Sequence, residues 1–318
     1  METGSTSGGK LAGAEAVLPQ AKRKGFAALL LAILIWGSTF VATKDALQAF
    51  PPTTLAALRF LFAVAFLLPF HLRRRLRSPS PPLRISVLMG FTGGFLYFAL
   101  QNLALVYCRA GTACLILASI PVFTALASRL FLNELISPAR VGGIFLSISG
   151  VAVLVWSESS RLLEGALNLG GPLLIGAAMA WAAYTVIGRK LSHTFDPILA
   201  TFQTTLWGVL FLLPLALLET QPVYGNLGAE SWLVLLYLGV IASALPIFLW
   251  NYALKTYEAS PAGVYLNLVP LVAIALATLF LRERLTFLEV VAGLMVLTGV
   301  VLAERHSYRR QGTRTHLR

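Results

Sequence analysis

The chain contains one segment written twice. Residues 101–136 read QNLALVYCRAGTACLILASIPVFTALASRLFLNELI, and residues 250–285 read WNYALKTYEASPAGVYLNLVPLVAIALATLFLRERL. The similarity extends over 101–156 and 250–305, at a constant offset of 149 residues. Identical residues occupy the matched positions Asn102/Asn251, Ala104/Ala253, Leu105/Leu254, Ala110/Ala259, Ala113/Ala262, Leu117/Leu266, Pro121/Pro270, Leu130/Leu279, Phe131/Phe280, Leu132/Leu281, Glu134/Glu283, Val141/Val290, Gly150/Gly299 and Val151/Val300. An internal repeat in an apolar chain is typical of membrane proteins assembled from two related halves.

The composition places the chain in a membrane. Apolar residues make up 57% of the sequence, charged residues 12%, and the mean hydropathy is +0.78, whereas a soluble domain averages about 25% charged residues. Apolar runs near the roughly 20 residues that cross a bilayer recur along the chain, and they are too continuous for barrel strands. The fold class is therefore an all-α polytopic membrane protein. Ten transmembrane helices are predicted, at 26–44, 54–70, 85–107, 112–131, 140–156, 169–188, 198–218, 232–254, 261–281 and 286–303.

Five spans in each half predict two inverted five-helix repeats, because an odd number makes the halves enter the membrane from opposite sides. The predicted domains are a disordered cytoplasmic tail (1–24), a first repeat (25–157), an outer linker (158–168), a second repeat (169–304) and a basic cytoplasmic tail (305–318).

The positive-inside rule gives the orientation. With both termini cytoplasmic, most of the 25 Lys and Arg residues face inward, which also explains the net charge of +12 without a nucleic-acid partner. The basic residues left on the outer side are Lys44, Arg59, Arg109, Arg161, Arg282 and Arg284.

Short motifs occur within spans and at their ends: Trp36-Gly37-Ser38-Thr39-Phe40 in span 1, Ala57-Leu58-Arg59-Phe60 in span 2, and the ends of spans 4 and 9, Phe131-Leu132-Asn133-Glu134-Leu135-Ile136-Ser137 and Phe280-Leu281-Arg282-Glu283-Arg284-Leu285-Thr286. Together with the two halves of five spans, these motifs resemble the paired EamA domains of the drug/metabolite transporter superfamily, over roughly 26–303. The second half departs from the first where Trp181-Ala182-Ala183-Tyr184-Thr185 replaces the smaller Gly-Ser pair of span 1. The resemblance implies a carrier in the inner or plasma membrane that exports or exchanges small metabolites, including amino acids and drugs. The superfamily also contains nucleotide-sugar and triose-phosphate carriers.

Pro121 and Pro270 lie at matched positions inside spans 4 and 9. A proline within a helix removes one backbone hydrogen bond and releases the carbonyl four residues earlier, here that of Leu117 or Leu266. A released carbonyl inside a bilayer is tolerated where protein or a water-filled cavity satisfies it. Two interpretations stay open: a packing kink, or a helix break at a substrate site.

Polar and aromatic side chains at mid-span predict a substrate cavity near the membrane midplane. Polar groups placed in lipid need partners, so they should face inward. The alternative is ordinary interhelical hydrogen bonding, which we favour for Asn102 and Asn251. We expect Gln101 and Trp250 to line the cavity. The tryptophans could stack on a planar substrate or belong to the core. The candidate cavity residues are Trp36, Ser38, Thr39, Tyr97, Gln101, Ser119, Trp181, Tyr184, Ser243, Trp250, Tyr265 and Asn267.

Charged residues near span ends suggest gates. We expect Glu134 to meet Arg189 or Lys190 near the inner surface, and Glu283 to meet Lys44 near the outer surface. Such pairs would break as the repeats rock. The alternative is that each carboxylate interacts with the N-terminus of a neighbouring helix.

Arg59 lies about one turn inside span 2. Its side chain either snorkels outward along its aliphatic stem or contacts an anionic group of a substrate.

No Asp, Glu or His falls at the middle of a predicted span. Proton-coupled carriers usually keep an ionisable group there, so we expect a uniporter or exchanger of neutral or zwitterionic solutes. An intramembrane serine enzyme would need a general base that no span supplies, so the chain is not expected to be an enzyme. We also expect no cofactor and no metal.

The expected function is therefore a carrier of small metabolites, chiefly amino acids or related solutes for export, that works by alternating access. Its expected partners are a small-molecule substrate and the lipid bilayer. A homodimer is left open, because glycines in spans 5 and 10 permit close helix packing. The alternatives are a carrier of phosphorylated or nucleotide-linked metabolites, a carrier of drug-like cations, and a membrane receptor or sensor.

Overall fold

The computed structural model describes residues 8–132, 138–161, 169–189, 195–219, 228–256, 266 and 268–314. Within these ranges every regular element is a helix. In chain order the elements are α1 (Gly8–Ala46), α2 (Pro52–Arg75), α3 (Leu83–Met89), the π-helix π1 (Gly90–Leu96), α4 (Tyr97–Tyr107), α5 (Ala110–Leu117), α6 (Ile120–Leu132), α7 (Pro138–Arg161), α8 (Gly170–Arg189), α9 (Pro197–Leu218), α10 (Ala229–Leu236), the π-helix π2 (Tyr237–Ala244), α11 (Leu245–Thr256), α12 (Val269–Phe280) and α13 (Phe287–Arg314).

The described helices fit a polytopic membrane protein, as the hydropathy predicts. Three apolar helices too short to count alone as membrane spans, Val141–Ser157, Val269–Phe280 and Phe287–Leu302, coincide with predicted spans 5, 9 and 10. Seven helical segments in the described ranges are long and apolar enough to cross a bilayer: Arg23–Ala46, Pro52–Arg75, Leu83–Tyr107, Ala110–Phe131, Gly170–Gly188, Pro197–Leu218 and Ala229–Trp250.

Large apolar side chains cover the outside of the bundle. Phe145 is 74% exposed, Leu217 84% and Phe287 85%. Exposed apolar surface on this scale is unfavourable in water and favourable against lipid tails. The outer faces of the helices are therefore suited to the hydrocarbon core of a bilayer.

Helices from the two halves of the chain pack against one another. The helix α2 lies along α9, and α7 lies along α13; α1 packs on α11 and α12, whereas α8 packs on α4 and α6. The α7–α13 contact is close at two glycines that the sequence matches, Gly150 and Gly299. A Cβ atom added to Gly299 would lie 2.5 Å from the backbone nitrogen of Ser147 and 2.6 Å from the carbonyl oxygen of Gly143. Small residues thus allow these two helices to approach backbone to backbone.

Polar contacts fasten α2 to α9 near both ends. Glu219, just after α9, accepts hydrogen bonds from the backbone amides of Thr53 and Thr54 at 2.8 and 2.7 Å. These amides belong to the first turn of α2, where they have no partner within the helix. Near the other end, Arg74 forms a 3.1 Å ion pair with Asp196, the N-cap of α9. The two contacts hold α2, which carries Arg59, in a fixed register against the second half of the chain.

We expect Gly299→Ala to lower the stability of the protein, because its methyl group would collide with backbone atoms of α7 that cannot rotate away. Overpacking of this kind costs about 1–3 kcal/mol. Gly142→Ala is the matched control, since a Cβ there meets nothing within 4 Å, and Ala is the better helix former. Thermal unfolding of the detergent-solubilised variants should show a lower midpoint for Gly299→Ala alone. Equal midpoints would contradict the close helix contact.

Candidate functional site

A cavity opens between helices of both halves of the chain. The space between its walls, counted out through the mouth and into open solvent, is about 760 Å³. Its lining includes ten residues singled out from the sequence, namely Trp36, Thr39, Arg59, Tyr97, Gln101, Leu117, Pro121, Trp181, Leu266 and Pro270. It also includes residues that the sequence did not single out, namely Phe40, Phe98, Cys114, Ala118, Ile120, Ala242, Ile247 and Val269.

One wall of the cavity is aromatic. The ring centroids of Tyr97 and Trp181 are 4.7 Å apart, and Trp36 meets Trp181 edge to face at 6.2 Å. Trp250 packs against Trp36 at 5.7 Å, and Tyr184 against Trp181 at 5.0 Å. Neither Trp250 nor Tyr184 belongs to the lining of this cavity. These two residues instead support the tryptophans that do, contrary to the expectation that they face the solute space.

Three hydroxyl groups of the predicted set bond within the protein. Ser38, Thr39 and Ser119 each donate to the carbonyl three residues earlier, at 2.6–2.7 Å. The Ser38 hydroxyl also lies 2.5 Å from that of Tyr237 on π2. Ser38 and Ser119 lie outside this cavity's lining. Of the three, only Thr39 remains a lining residue.

The two neighbouring amides on α4 differ in their surroundings. Asn102 donates from Nδ2 to the carbonyl of Pro52 at 3.1 Å, which ties α4 to the start of α2. The side chain of its repeat partner, Asn251, lies outside the described part of the chain. Gln101 is 3% exposed and lines the cavity, and its Oε1 has no hydrogen-bond partner among the described residues.

Arg59 is buried in the cavity wall and is 1% exposed. Its Nε donates to Ser243 Oγ at 2.9 Å, and its Cζ lies 4.7 Å from the centroid of the Phe98 ring. The snorkelling expectation is therefore wrong, because the side chain runs into the bundle toward π2. Ser243 in turn donates to the carbonyl of Leu238, five residues earlier, at 2.7 Å. The wider π-helical turn thus positions the hydroxyl that holds Arg59.

The predicted span 4 is divided where proline enters it. Helix α5 ends at Leu117 and α6 begins at Ile120, so that Pro121 is the second residue of α6. Pro270 is likewise the second residue of α12. Proline is tolerated in a first turn, where its missing N–H has no partner in any case. Both helix starts border the cavity.

The expected ion pair between Glu283 and Lys44 is wrong. Glu283 accepts hydrogen bonds from the backbone amides of Ala110 and Gly111, both at 3.0 Å, at the start of α5. Lys44 donates to the carbonyls of Leu105 and Cys108 near the end of α4, at 2.5 and 2.8 Å. Each charge thus meets the helix end of opposite partial charge, because exposed amides attract a carboxylate and exposed carbonyls attract an ammonium group.

Several predicted residues cannot be placed. The backbone of Arg189 ends α8, but its side chain lies outside the described residues, so its pairing with Glu134 stays a prediction. The residues that lie wholly outside the described ranges are Glu134, Lys190, Tyr265 and Asn267.

Sequence reasoning missed a buried ionic cluster on α13. Glu289 is fully buried and forms an ion pair with Arg109, which also donates to the carbonyl of Arg284 at 2.6 Å. Ser157 donates to the same carboxylate at 3.2 Å. Thr286 and Glu289 form reciprocal contacts typical of a capping box, at 2.7 and 3.4 Å. The Thr-x-x-Glu spacing was the signal in the sequence that could have identified this cluster.

The arrangement favours binding over catalysis. Among the described residues, the cavity presents one cation, one unpaired amide oxygen and an aromatic wall, which can recognise a solute by charge, hydrogen bonding and stacking. In the part of the chain that can be described, no three His, Cys, Asp or Glu side chains converge to hold a metal ion.

Comparison with known proteins identifies relatives along most of the chain. The EamA-like transporter family model matches residues 23–156 and 168–304. A protein named "Uncharacterized transporter" from Archaeoglobus fulgidus is 33% identical, covering 87% of this chain and 97% of its own. The "Probable amino-acid metabolite efflux pump" of Escherichia coli is 31% identical over 88% of this chain and 94% of its own. The "Probable terminal-alkyne amino-acid exporter" of Streptantibioticus cattleyicolor is 29% identical over 89% and 94%.

A solved crystal structure also has this fold. It aligns with a TM-score of 0.64 and 22% sequence identity, and it covers 89% of this chain and 95% of its own. At that identity the likeness extends to the fold alone.

The cavity should discriminate reagents by charge, because Arg59 is the one charged side chain among the described residues that line it. In a Cys108→Ala variant, Cys114 is the remaining cysteine of the chain and it lines the cavity. We expect an anionic methanethiosulfonate to modify it several-fold faster than a cationic one, after each rate is divided by that for a free thiol.

Adding Arg59→Gln to that variant should remove the preference for the anionic reagent. The matched control is Cys114→Ala, which leaves Cys108 outside the lining and should show no change with Arg59→Gln. Equal normalised rates for the two reagents at Cys114 would contradict a positive cavity.

Proposed function

This chain belongs to the EamA-like transporter family, and from that premise we propose that it carries amino acids or closely related zwitterionic solutes across the plasma membrane, in the direction of export. The solute binds in the cavity between the two halves. The observation that carries the proposal is that cavity, which combines a single cation, an unpaired amide and an aromatic wall.

The relatives support this substrate class. Two of them, from E. coli and S. cattleyicolor, are named as a probable efflux pump of amino-acid metabolites and a probable exporter of a modified amino acid. Both cover more than nine-tenths of their own length in the match, so whole carriers are being compared. Their names favour a transporter over an enzyme or a receptor.

We further propose that the two halves are inverted repeats that rock about the cavity to give alternating access. Span 1 packs on spans 8 and 9, and the equivalent span of the second half, span 6, packs on spans 3 and 4. The same contacts therefore occur twice with the two halves interchanged. The π-helices begin at Gly90 and close to its repeat equivalent Gly239, and helices start next to Pro121 and Pro270. Interrupted helices at matched positions are the usual site of binding in transporters of this type.

On the predicted orientation both termini are cytoplasmic. The outer end of the bundle is then closed by Glu283 on the start of α5 and by the Arg109–Glu289 pair. An inner contact between Glu134 and Arg189 or Lys190 remains part of the proposal. Breaking the outer contacts while the inner contact forms would open the cavity to the outside, and the reverse change would open it to the cytoplasm.

The charge of the lining argues against the other solute classes. A drug-like cation would face Arg59 with no carboxylate among the lining residues that the structure describes. A phosphorylated solute carries about two negative charges at neutral pH, and the described part of the lining offers one cation. A zwitterion with a single carboxylate matches that charge.

Counterflow in proteoliposomes tests the proposal. Vesicles preloaded with unlabelled amino acids should accumulate labelled aromatic or small neutral amino acids from outside, and vesicles without protein should not. Because no mid-span carboxylate or histidine is available for proton coupling, collapsing a proton gradient should leave the initial rate unchanged. Absence of counterflow for every amino acid, with counterflow of a phosphorylated or cationic solute, would contradict the proposed substrate class.

A further inference from the structure

Building on the proposed function, we propose that Arg59 and Gln101 together form the head-group site of the carrier. The guanidinium of Arg59 binds the carboxylate of the solute, and the amide of Gln101 accepts a hydrogen bond from its ammonium group. The apolar or aromatic side chain of the solute then lies against Trp36 and Trp181.

The hydrogen bonding of Arg59 leaves its outer edge available to a ligand. Of its three nitrogens, Nε is bonded to Ser243, whereas Nη1 and Nη2 donate to no acceptor among the described residues. Those two nitrogens carry four N–H groups in a fixed fork. No described Asp or Glu lies within ion-pairing distance of the guanidinium. A buried cation without a carboxylate partner is costly, and a carboxylate that enters the cavity would offset this cost.

The chemistry of the fork favours a carboxylate. Two parallel N–H groups match the two oxygens of a carboxylate, and such bidentate contacts are the strong class of charge-assisted hydrogen bonds. Arg59 Cζ lies over the Phe98 ring, 4.7 Å from the ring centroid. This cation–π contact uses none of the N–H groups of the guanidinium. The Ser243 hydroxyl fixes the inner edge, so the remaining donors are pre-oriented.

Gln101 lies one helical turn beyond Phe98 on α4, on the same side of the helix. Its Oε1 is buried and has no partner among the described residues, although the side chain lines the cavity. Buried amide oxygens in native proteins are nearly always bonded, so an unbonded one at a cavity wall indicates a position for a ligand donor. An ammonium group beside a carboxylate held by Arg59 supplies that donor.

The aromatic wall completes the recognition of the solute. Trp36, Trp181 and Tyr97 present ring surfaces next to the head-group site. These surfaces favour a flat apolar side chain. The predicted solute is therefore an α-amino acid with an aromatic or large apolar side chain.

The experiment compares three probes on purified protein in lipid nanodiscs, by competition against labelled L-phenylalanine. The probes are unlabelled L-phenylalanine, phenethylamine, which lacks the carboxylate, and 3-phenylpropionate, which lacks the ammonium group. We expect wild-type protein to bind phenethylamine roughly 10- to 100-fold more weakly than L-phenylalanine. Binding 3-phenylpropionate should be weakened by a smaller factor.

Direct binding to the variants assigns the groups. Arg59→Gln should lose affinity for L-phenylalanine by a similar factor. Its binding of phenethylamine, which is itself a cation, should be unchanged or stronger, because the repelling charge is gone. Arg59→Lys keeps the charge but lacks the two parallel N–H groups of the guanidinium. Its affinity for L-phenylalanine should lie between those of the wild type and Arg59→Gln. Gln101→Leu should remove the preference for L-phenylalanine over 3-phenylpropionate. Gly142→Ala is the control, because a Cβ atom there meets nothing within 4 Å and Gly142 is not among the residues that line the cavity, so it should keep the affinity of the wild type for both ligands.

The outcomes separate this inference from the proposed function. Wild-type protein that binds L-phenylalanine and phenethylamine equally would overturn the carboxylate site and leave amino-acid transport standing. Parallel loss of L-phenylalanine and phenethylamine binding in Arg59→Gln, with both retained in Gly142→Ala, would assign Arg59 a structural role and also overturn the site. Wild-type protein that shows neither binding nor counterflow of any amino acid would overturn the proposed function together with this site.

Discussion

The hydrocarbon core of a bilayer contains no water, so each polar group inside this bundle must find its partner in protein or in a cavity. Several charged groups here do so in contacts that join separate helices. Glu219 satisfies the first amides of α2, Glu283 those of α5, and Arg109 neutralises the buried Glu289. These contacts fix the ends of the helices. The close contact of Gly299 on α13 with the backbone of α7 fixes that helix pair within the spans.

Against that background the two incompletely paired groups on the cavity wall stand out. The outer nitrogens of Arg59 and the Oε1 of Gln101 lack partners among the described residues, and both side chains border the same space. Local backbone structure positions them. The π-helix π2 supplies Ser243 to one edge of Arg59, while α4 supplies Phe98 and Gln101 from successive turns. A bound solute would supply the hydrogen-bond partners that the described protein groups do not give to Arg59 and Gln101.

Much of this arrangement could be predicted from the sequence, since hydropathy and the internal repeat are strong signals. The spans follow from runs of apolar residues, and Trp36, Tyr97, Gln101 and Trp181 were selected because polar and aromatic groups at mid-span should face inward. The π-helical turns were not predictable, because they change the hydrogen-bond register without changing the hydropathy. The burial of Arg59 could not be predicted either. Its position one turn from the span end suggested that the side chain points outward, whereas the hydrogen bond to Ser243 on π2 directs it into the bundle.

Partners of charged groups were the least predictable feature. Pairing Glu283 with Lys44 assumed that a carboxylate seeks a cation. The alternative drawn from the sequence, the N-terminus of a neighbouring helix, is the one that Glu283 adopts, because exposed backbone amides attract a carboxylate as a cation does. We propose that the cavity beside Arg59 and Trp181 holds an amino acid. The most direct test is a crystal structure with 4-bromo-L-phenylalanine, whose bromine is located by anomalous scattering. We expect a bromine peak against the Trp36–Trp181 wall with the carboxylate toward Arg59. A peak elsewhere in the protein, with this cavity unoccupied, would contradict it.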